Sequence, residues 1–261
     1  TLGHINYSTV NEAGLVCKDY YLYGFKLDQN ESDPVSMITY LPDCDNAQFS
    51  PAYMNYTTDT FDYGDWGDIW FIKNLKPCML KYDGTVDYEL DKDDYTKKAD
   101  GSPSDVANTD YEGNAMVGIP KVYWKIIDNG DDTANIYICE KKLDDDFVCW
   151  SHIDNNGNEI NYCYMPIYDG WKDSIGRLRS LSGQTPTGSL SSMTGITSAK
   201  LNNITDDIIW YTEVFCDRKL IELLGMLIAK STDSQTVFGR GNVYNDTNNI
   251  TIFKIYLIIY F

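Results

Sequence analysis

The chain is poor in metal ligands and in positive charge. Two histidines, His4 and His152, and seven scattered cysteines with no Cys-x-x-Cys pair offer no clustered zinc ligand set. Twenty-one Lys and Arg stand against 39 Asp and Glu, which gives a net charge of −18 and a pI near 4.3. So acidic a chain repels phosphate backbones and anionic lipid, which argues against nucleic-acid partners and membrane insertion. No apolar run approaches the ~20 residues of a bilayer-spanning helix, and mean hydropathy is −0.37. Neither a GxSxG elbow nor a P-loop occurs. No basic-then-apolar secretion signal follows Thr1, and the absent initiator Met gives the expectation of a fragment or processed chain.

What remains is aromatic and globular. At 261 residues the chain suits one or two domains of ~150 residues and can bury a core without staples. A hydrophobic fraction of 43% and an aromatic fraction of 14% argue against disorder. Tyrosine dominates the aromatics, with 21 residues against six Trp and nine Phe. Its ring packs on one side and its hydroxyl bonds on the other, which suits a β-rich protein. The cysteines (Cys17, Cys44, Cys78, Cys139, Cys149, Cys163, Cys216) are odd in number, so the expectation is reduced, buried thiols. Cys139, Cys149 and Cys163 fall on adjacent predicted strands, which leaves room for one bridge.

Alternation predicts strands over Tyr20 to Asp28 and Ser36 to Tyr40. Cys78 to Leu90 reads as a hairpin about Asp83-Gly84, with the type I′ turn that this dipeptide favours. Asp91 to Asp110 is acidic and poor in apolar residues, so it reads as a surface loop and sub-domain boundary. Val122 to Asp128 pairs with Ala134 to Lys141 about Asn129-Gly130, and Phe147 to Asp154 with Glu159 to Tyr164 about Asn156-Gly157. Arg177 to Thr205 reads as an extended loop. One amphipathic helix stands out near 217–230: Asp217 as its cap, then Leu220, Leu223, Leu224, Leu227 and Ile228 at three and four spacing.

Each candidate site has a plainer reading beside it. The Asp-rich turns at 128–132 and 154–159 lack the twelve-residue calcium-loop spacing, and hairpin turns explain them equally. Asp144-Asp145-Asp146 offers paired carboxylates but reads as a solvated connection. His152 on a predicted strand reads as structural. Phe238-Gly239-Arg240-Gly241 carries too few glycines for a phosphate loop. The segment Phe61 to Phe71 alternates rings with Asp and Gly, a pattern suited to stacking on sugars while carboxylates accept hydroxyl protons. Its candidate binding residues are Tyr63, Asp65, Trp66, Asp68 and Trp70; the competing reading makes Trp66, Trp70 and Phe71 core anchors. No catalytic residue, metal or cofactor is expected. Ile250 to Phe261, ITIFKIYLIIYF, carries Lys254 as its single charge and matches an aggregation-prone strand. It reads either as a buried terminal strand or as sequence unrelated to a natural frame ending near Asn242.

Several segments in order resemble a family of tail-associated proteins from phages and prophages of gut bacteria. They include Tyr23-Gly24-Phe25-Lys26-Leu27-Asp28, Lys76-Pro77-Cys78-Met79-Leu80, Asn114-Ala115-Met116-Val117 and Ile119-Pro120-Lys121-Val122-Tyr123-Trp124. Met165-Pro166-Ile167-Tyr168, Leu178-Arg179-Ser180-Leu181-Ser182-Gly183 and Gly239-Arg240-Gly241-Asn242 follow, so the resemblance runs from Tyr23 to Asn242. It implies a C-type-lectin-like fold, related to the formylglycine-generating enzyme fold and to phage tropism determinants. Family ligand contacts lie in the C-terminal part, where this sequence departs after Asn242, so no binding residue carries over. The redox cysteine pair of the enzymatic branch is absent too.

The expected fold class is therefore α+β and β-rich: 1–22 an N-terminal segment or linker, 23–112 an N-terminal β-rich region, 113–242 an incomplete C-type-lectin-like domain with one main helix near 217–230, and 243–261 an atypical apolar tail. The expected function is a non-enzymatic phage tail tip or fibre protein that recognises a host-surface glycan or protein, resides in the virion, contacts other tail proteins and forms a homo-oligomer, a trimer by resemblance. The alternatives are a bacterial surface or secreted carbohydrate-binding module and, more remotely, a glycan-active hydrolase.

Overall fold

The computed structural model describes residues 8–10, 16–58, 60–205 and 208–239. The segment Ile250 to Phe261 and the junction at Asn242 lie outside them. The described chain is α+β and strand-rich, with four α-helices and several antiparallel sheets. It forms two compact units, each threaded from separate stretches. The first takes residues up to 72, 121–161 and 222–239; the second takes 73–120 and 162–221. Both units cross the linear division expected at 112/113. Antiparallel pairing joins strands on both sides of that point within each unit, and a linear reading of composition cannot see such long-range partners.

In the first unit, four antiparallel strands lie in the order Tyr123–Asp128, Thr133–Cys139, Leu22–Asp28, Ile38–Tyr40. Register places Ile136 opposite Phe25 and Phe25 opposite Tyr40, and all three are buried on one face. A neighbouring row on that face runs Trp124, Ile138, Tyr23. The opposite face carries Tyr123 and Cys139, packed with Phe147 and Cys149. The second unit repeats the plan with Tyr162–Pro166, Gly113–Pro120, Lys76–Lys81 and Val86–Glu89. All eight residues of its Gly113–Pro120 strand are buried, as expected of a central strand covered on both faces.

The main helix spans Phe215–Ala229 and contributes its residues from Glu222 onward to the first unit. Leu223, Leu224, Leu227 and Ile228 are all buried, as their spacing requires. Asp217 is not its cap. It sits in the first turn and accepts the Val214 N–H at 3.4 Å, the reach-back half of a capping box. The helix ends where Lys230 turns left-handed at φ 49°.

Four other expectations change. The Asp83-Gly84 turn is not type I′, because Gly84 alone has positive φ (78°). Gly84 N–H donates to the Lys81 carbonyl at 2.9 Å, which describes a type I turn followed by a glycine bulge. Phe147 to Asp154 is not a strand; it contains a 3₁₀ turn at Trp150–His152 and two isolated bridges, Val148 to Trp124 and Ile153 to Glu159. The 91–110 segment is not a bare loop, since Tyr95 and Val106 are buried in it. Within 177–205 a nine-residue helix, Ser192–Lys200, starts from Ser191, whose hydroxyl accepts the Thr194 N–H. Its buried residues Gly195, Ser198 and Ala199 are small, so no hydrophobic period marks it in the sequence.

Candidate functional site

The aromatic–aspartate segment lies in the first unit. Thr60–Asp62 pairs with Tyr53–Asn55, and the hairpin is fastened by the Tyr56 hydroxyl, which donates to the carbonyls of Gln235 and Thr236. Asp62 accepts the Gly64 N–H at 2.8 Å. Gly64 has φ 56°, and a Cβ there would stand 2.4 Å from the Ser50 carbonyl oxygen, so only glycine fits. The 3₁₀ turn Gly64–Trp66 follows. Asp65 and Ser50 bond reciprocally: Ser50 N–H to the carboxylate at 2.7 Å, and Asp65 N–H to the Ser50 carbonyl at 3.2 Å.

That turn drives Trp66 inward. Its exposure is 0%, and Tyr23, Tyr40 and Phe49 meet it edge to face at centroid distances of 5.0–5.9 Å. No face of the ring is left for a ligand. Trp70 is half-buried and set at 89° to Phe71. Tyr63 is half-buried against Phe61, which stacks on Phe238. Asp65 and Asp68 are exposed, but Asp65 is committed to Ser50. Of the five candidates, the structure therefore leaves Asp65 and Asp68 exposed and Tyr63 and Trp70 half-buried, and makes Trp66 the hub of the core.

The ring that does face solvent is Trp150. All six tryptophans are described, and it alone is exposed, at 52%. Its neighbours Cys149, Ser151 and His152 are buried, and Trp124 meets it edge to face. Strand alternation would place Trp150 on the same side as His152, so no sequence signal separates the exposed ring from the buried one. His152 donates its N–H to the Cys149 carbonyl at 2.7 Å and is fully enclosed.

Several thiols and carboxyls are held away from reactive states. Burial pushes the Cys78 thiol up to about 12 and, with Glu159 beside it, Cys149 up to about 11. Burial also raises Cys163. Eleven carboxyls, Asp154 and Glu159 among them, are held below their ordinary range. Asp154 is typical: the Asn158 backbone and side-chain N–H groups stabilise its charged form. Asp144 and Asp146 do not form a separated acid pair; both close on the buried Lys125 ammonium, at 2.9 and 3.0 Å. Cys139 and Cys149 share one buried cluster as thiols, whereas Cys163 belongs to the other unit.

Among the described residues no group of three or more His, Cys, Asp or Glu is placed to hold a metal ion. No described helix is long and apolar enough to cross a membrane. Comparison with protein-family models, curated proteins and solved structures finds no match.

Proposed function

We propose that this chain is a non-enzymatic surface-recognition protein of the tail tip or fibre type found in phages and prophages of gut bacteria. Its proposed target is a host-surface glycan or protein and its proposed fold C-type-lectin-like, a reading consistent with a strand-rich α+β chain. The observation that carries the reading is the state of its titratable groups. A hydrolase acting on glycans needs one carboxyl raised toward neutrality as general acid. Carboxyls such as Asp154 and Glu159 are lowered instead, and the buried Cys78, Cys149 and Cys163 thiols are raised. Ionised carboxylates that do not give up protons are hydrogen-bond acceptors, a binding chemistry. The acidic, Tyr-rich composition suits neutral glycans and protein surfaces, because Tyr offers rigid contact area at low entropic cost. Single sites of this kind bind weakly, and presentation as an oligomer, a trimer by resemblance, would supply avidity.

The test uses the fluorescently labelled chain on a panel of gut-bacterial cells, alongside a reducing-end assay on surface polysaccharide from the same cells. The expected result is saturable binding without release of reducing ends. Release above the blank would make the chain an enzyme and overturn the reading.

A further inference from the structure

We propose that Trp150 is a stacking platform for a neutral pyranose ring, an inference that rests on the recognition reading above. Trp150 is the one exposed tryptophan of six, yet it is not loose. Two hydrogen bonds between Trp124 and Val148, both 2.9 Å, pin the segment that leads into its turn. Buried Cys149, Ser151 and His152 fix the backbone on either side, and the Trp124 ring braces the indole edge to face at 5.1 Å. An indole so fixed loses little freedom on binding, which is the main cost of a surface contact.

The indole face is electron-rich and meets the weakly positive C–H face of a sugar favourably. The hairpin stem at Ile153 and Glu159 continues directly from this turn, and its tip exposes Asn155 and Asn156. Their side-chain amides supply both donors and acceptors, the groups that hydroxyls require. The net charge of −18 disfavours acidic sugars, so the ligand class is neutral.

The experiment follows the indole N–H resonances of the whole chain labelled with ¹⁵N-Trp, with Trp150 identified through Trp150→Phe. Lactose, maltotriose and diacetylchitobiose are titrated, with sialyllactose as the anionic comparison. The expected result is a saturable shift of the Trp150 resonance with at least one neutral sugar, weaker with sialyllactose. Trp150→Ala should weaken that binding by about tenfold, while Trp150→Phe retains part of it. A Trp150 resonance unmoved by every neutral sugar overturns the proposal, as does undiminished sugar binding by Trp150→Ala. Cell binding separates this from the recognition reading. If Trp150→Ala binds cells as the parent chain does, the platform fails while recognition stands. If the resonance shifts but no cell is bound, the platform stands and the recognition reading fails.

Discussion

Trp150 meets Trp124 edge to face, with ring centroids 5.1 Å apart and planes at 81°. Trp124 lies opposite Ile138, and Ile138 opposite Tyr23, whose ring lies 5.6 Å from that of Trp66. A single cross-sheet row thus connects the exposed indole to the most buried one. The two tryptophans at its ends have opposite energetic roles.

Replacing each with alanine separates those roles. Trp66→Ala removes a fully enclosed ring contacted on several sides and should cost about 3–5 kcal/mol. Trp150→Ala loses one edge contact and the covered half of a ring that is 52% exposed, so its cost should be smaller, about 1–2 kcal/mol. Urea unfolding midpoints of the two variants check the contrast.

Arg179 is a second fulcrum, 2% exposed. Its guanidinium donates to the carbonyls of Thr109, Tyr111 and Gly113, all within 2.7 Å, and so ties the segment before the central strand of the second unit to Leu178–Arg179. Arg179→Ala leaves three carbonyls short of donors and should destabilise by about 3 kcal/mol or more. Arg179→Lys should recover only part, because a single ammonium cannot reproduce the planar fork. Thermal or urea unfolding measures both.

Two glycine replacements should differ in cause and size. A Cβ at Gly113 would lie 2.2 Å from the Leu80 carbonyl oxygen, so Gly113→Ala must displace paired backbone and should cost about 1–3 kcal/mol or more. Gly130 has φ 77° with open space around it, so Gly130→Ala pays for backbone strain alone, about 1–2 kcal/mol. The order of the two midpoints is the readout.

Cys78, Cys149 and Cys163 should resist alkylation by iodoacetamide at pH 8, since their thiols are buried and titrate high. Peptide mass spectrometry should find them modified only when denaturant is added. Rapid modification in the folded chain would contradict their enclosure.

Acid stability should depend on the lowered carboxylates. Asp94 is pulled down to about 2, first by the Thr96 hydroxyl and then by Lys97. A carboxyl with a folded pKa below its unfolded value of 3.8 contributes fully above that value and loses its contribution as pH falls toward 2. The melting temperature should therefore fall steepest between about pH 4 and 2. Asp94→Asn should shallow that fall, as calorimetry across the range would show.

Local chemistry was legible in the sequence wherever it acts over a few residues. The Leu and Ile spacing located the long helix, and Asn-Gly or Asp-Gly placed the turns at 83–84, 129–130 and 156–157. Turn type was not legible, because Asp83 escapes positive φ only by lengthening the loop to include a bulge. The Ser192–Lys200 helix carries no hydrophobic period, because its buried side is built from small residues. Among the candidate binding residues, Asp and Gly alternate with the rings through the 3₁₀ turn Gly64–Trp66. They did not tell which way Trp66 would point.

The sequence alone determined the charge, the strand-rich character and the long amphipathic helix. Each is set by residue identity or by spacing within a few positions. Only the tertiary structure decided which rings face water. Trp66 and Trp150 sit in similar surroundings along the chain, each in a 3₁₀ turn beside small or polar neighbours. One is enclosed because Tyr23, Tyr40 and Phe49 converge on it from distant strands and loops, whereas the other lies beyond Trp124 on the strand at the sheet's edge. Burial depends on what the rest of the chain brings to a residue, and that long-range pairing has no local signature.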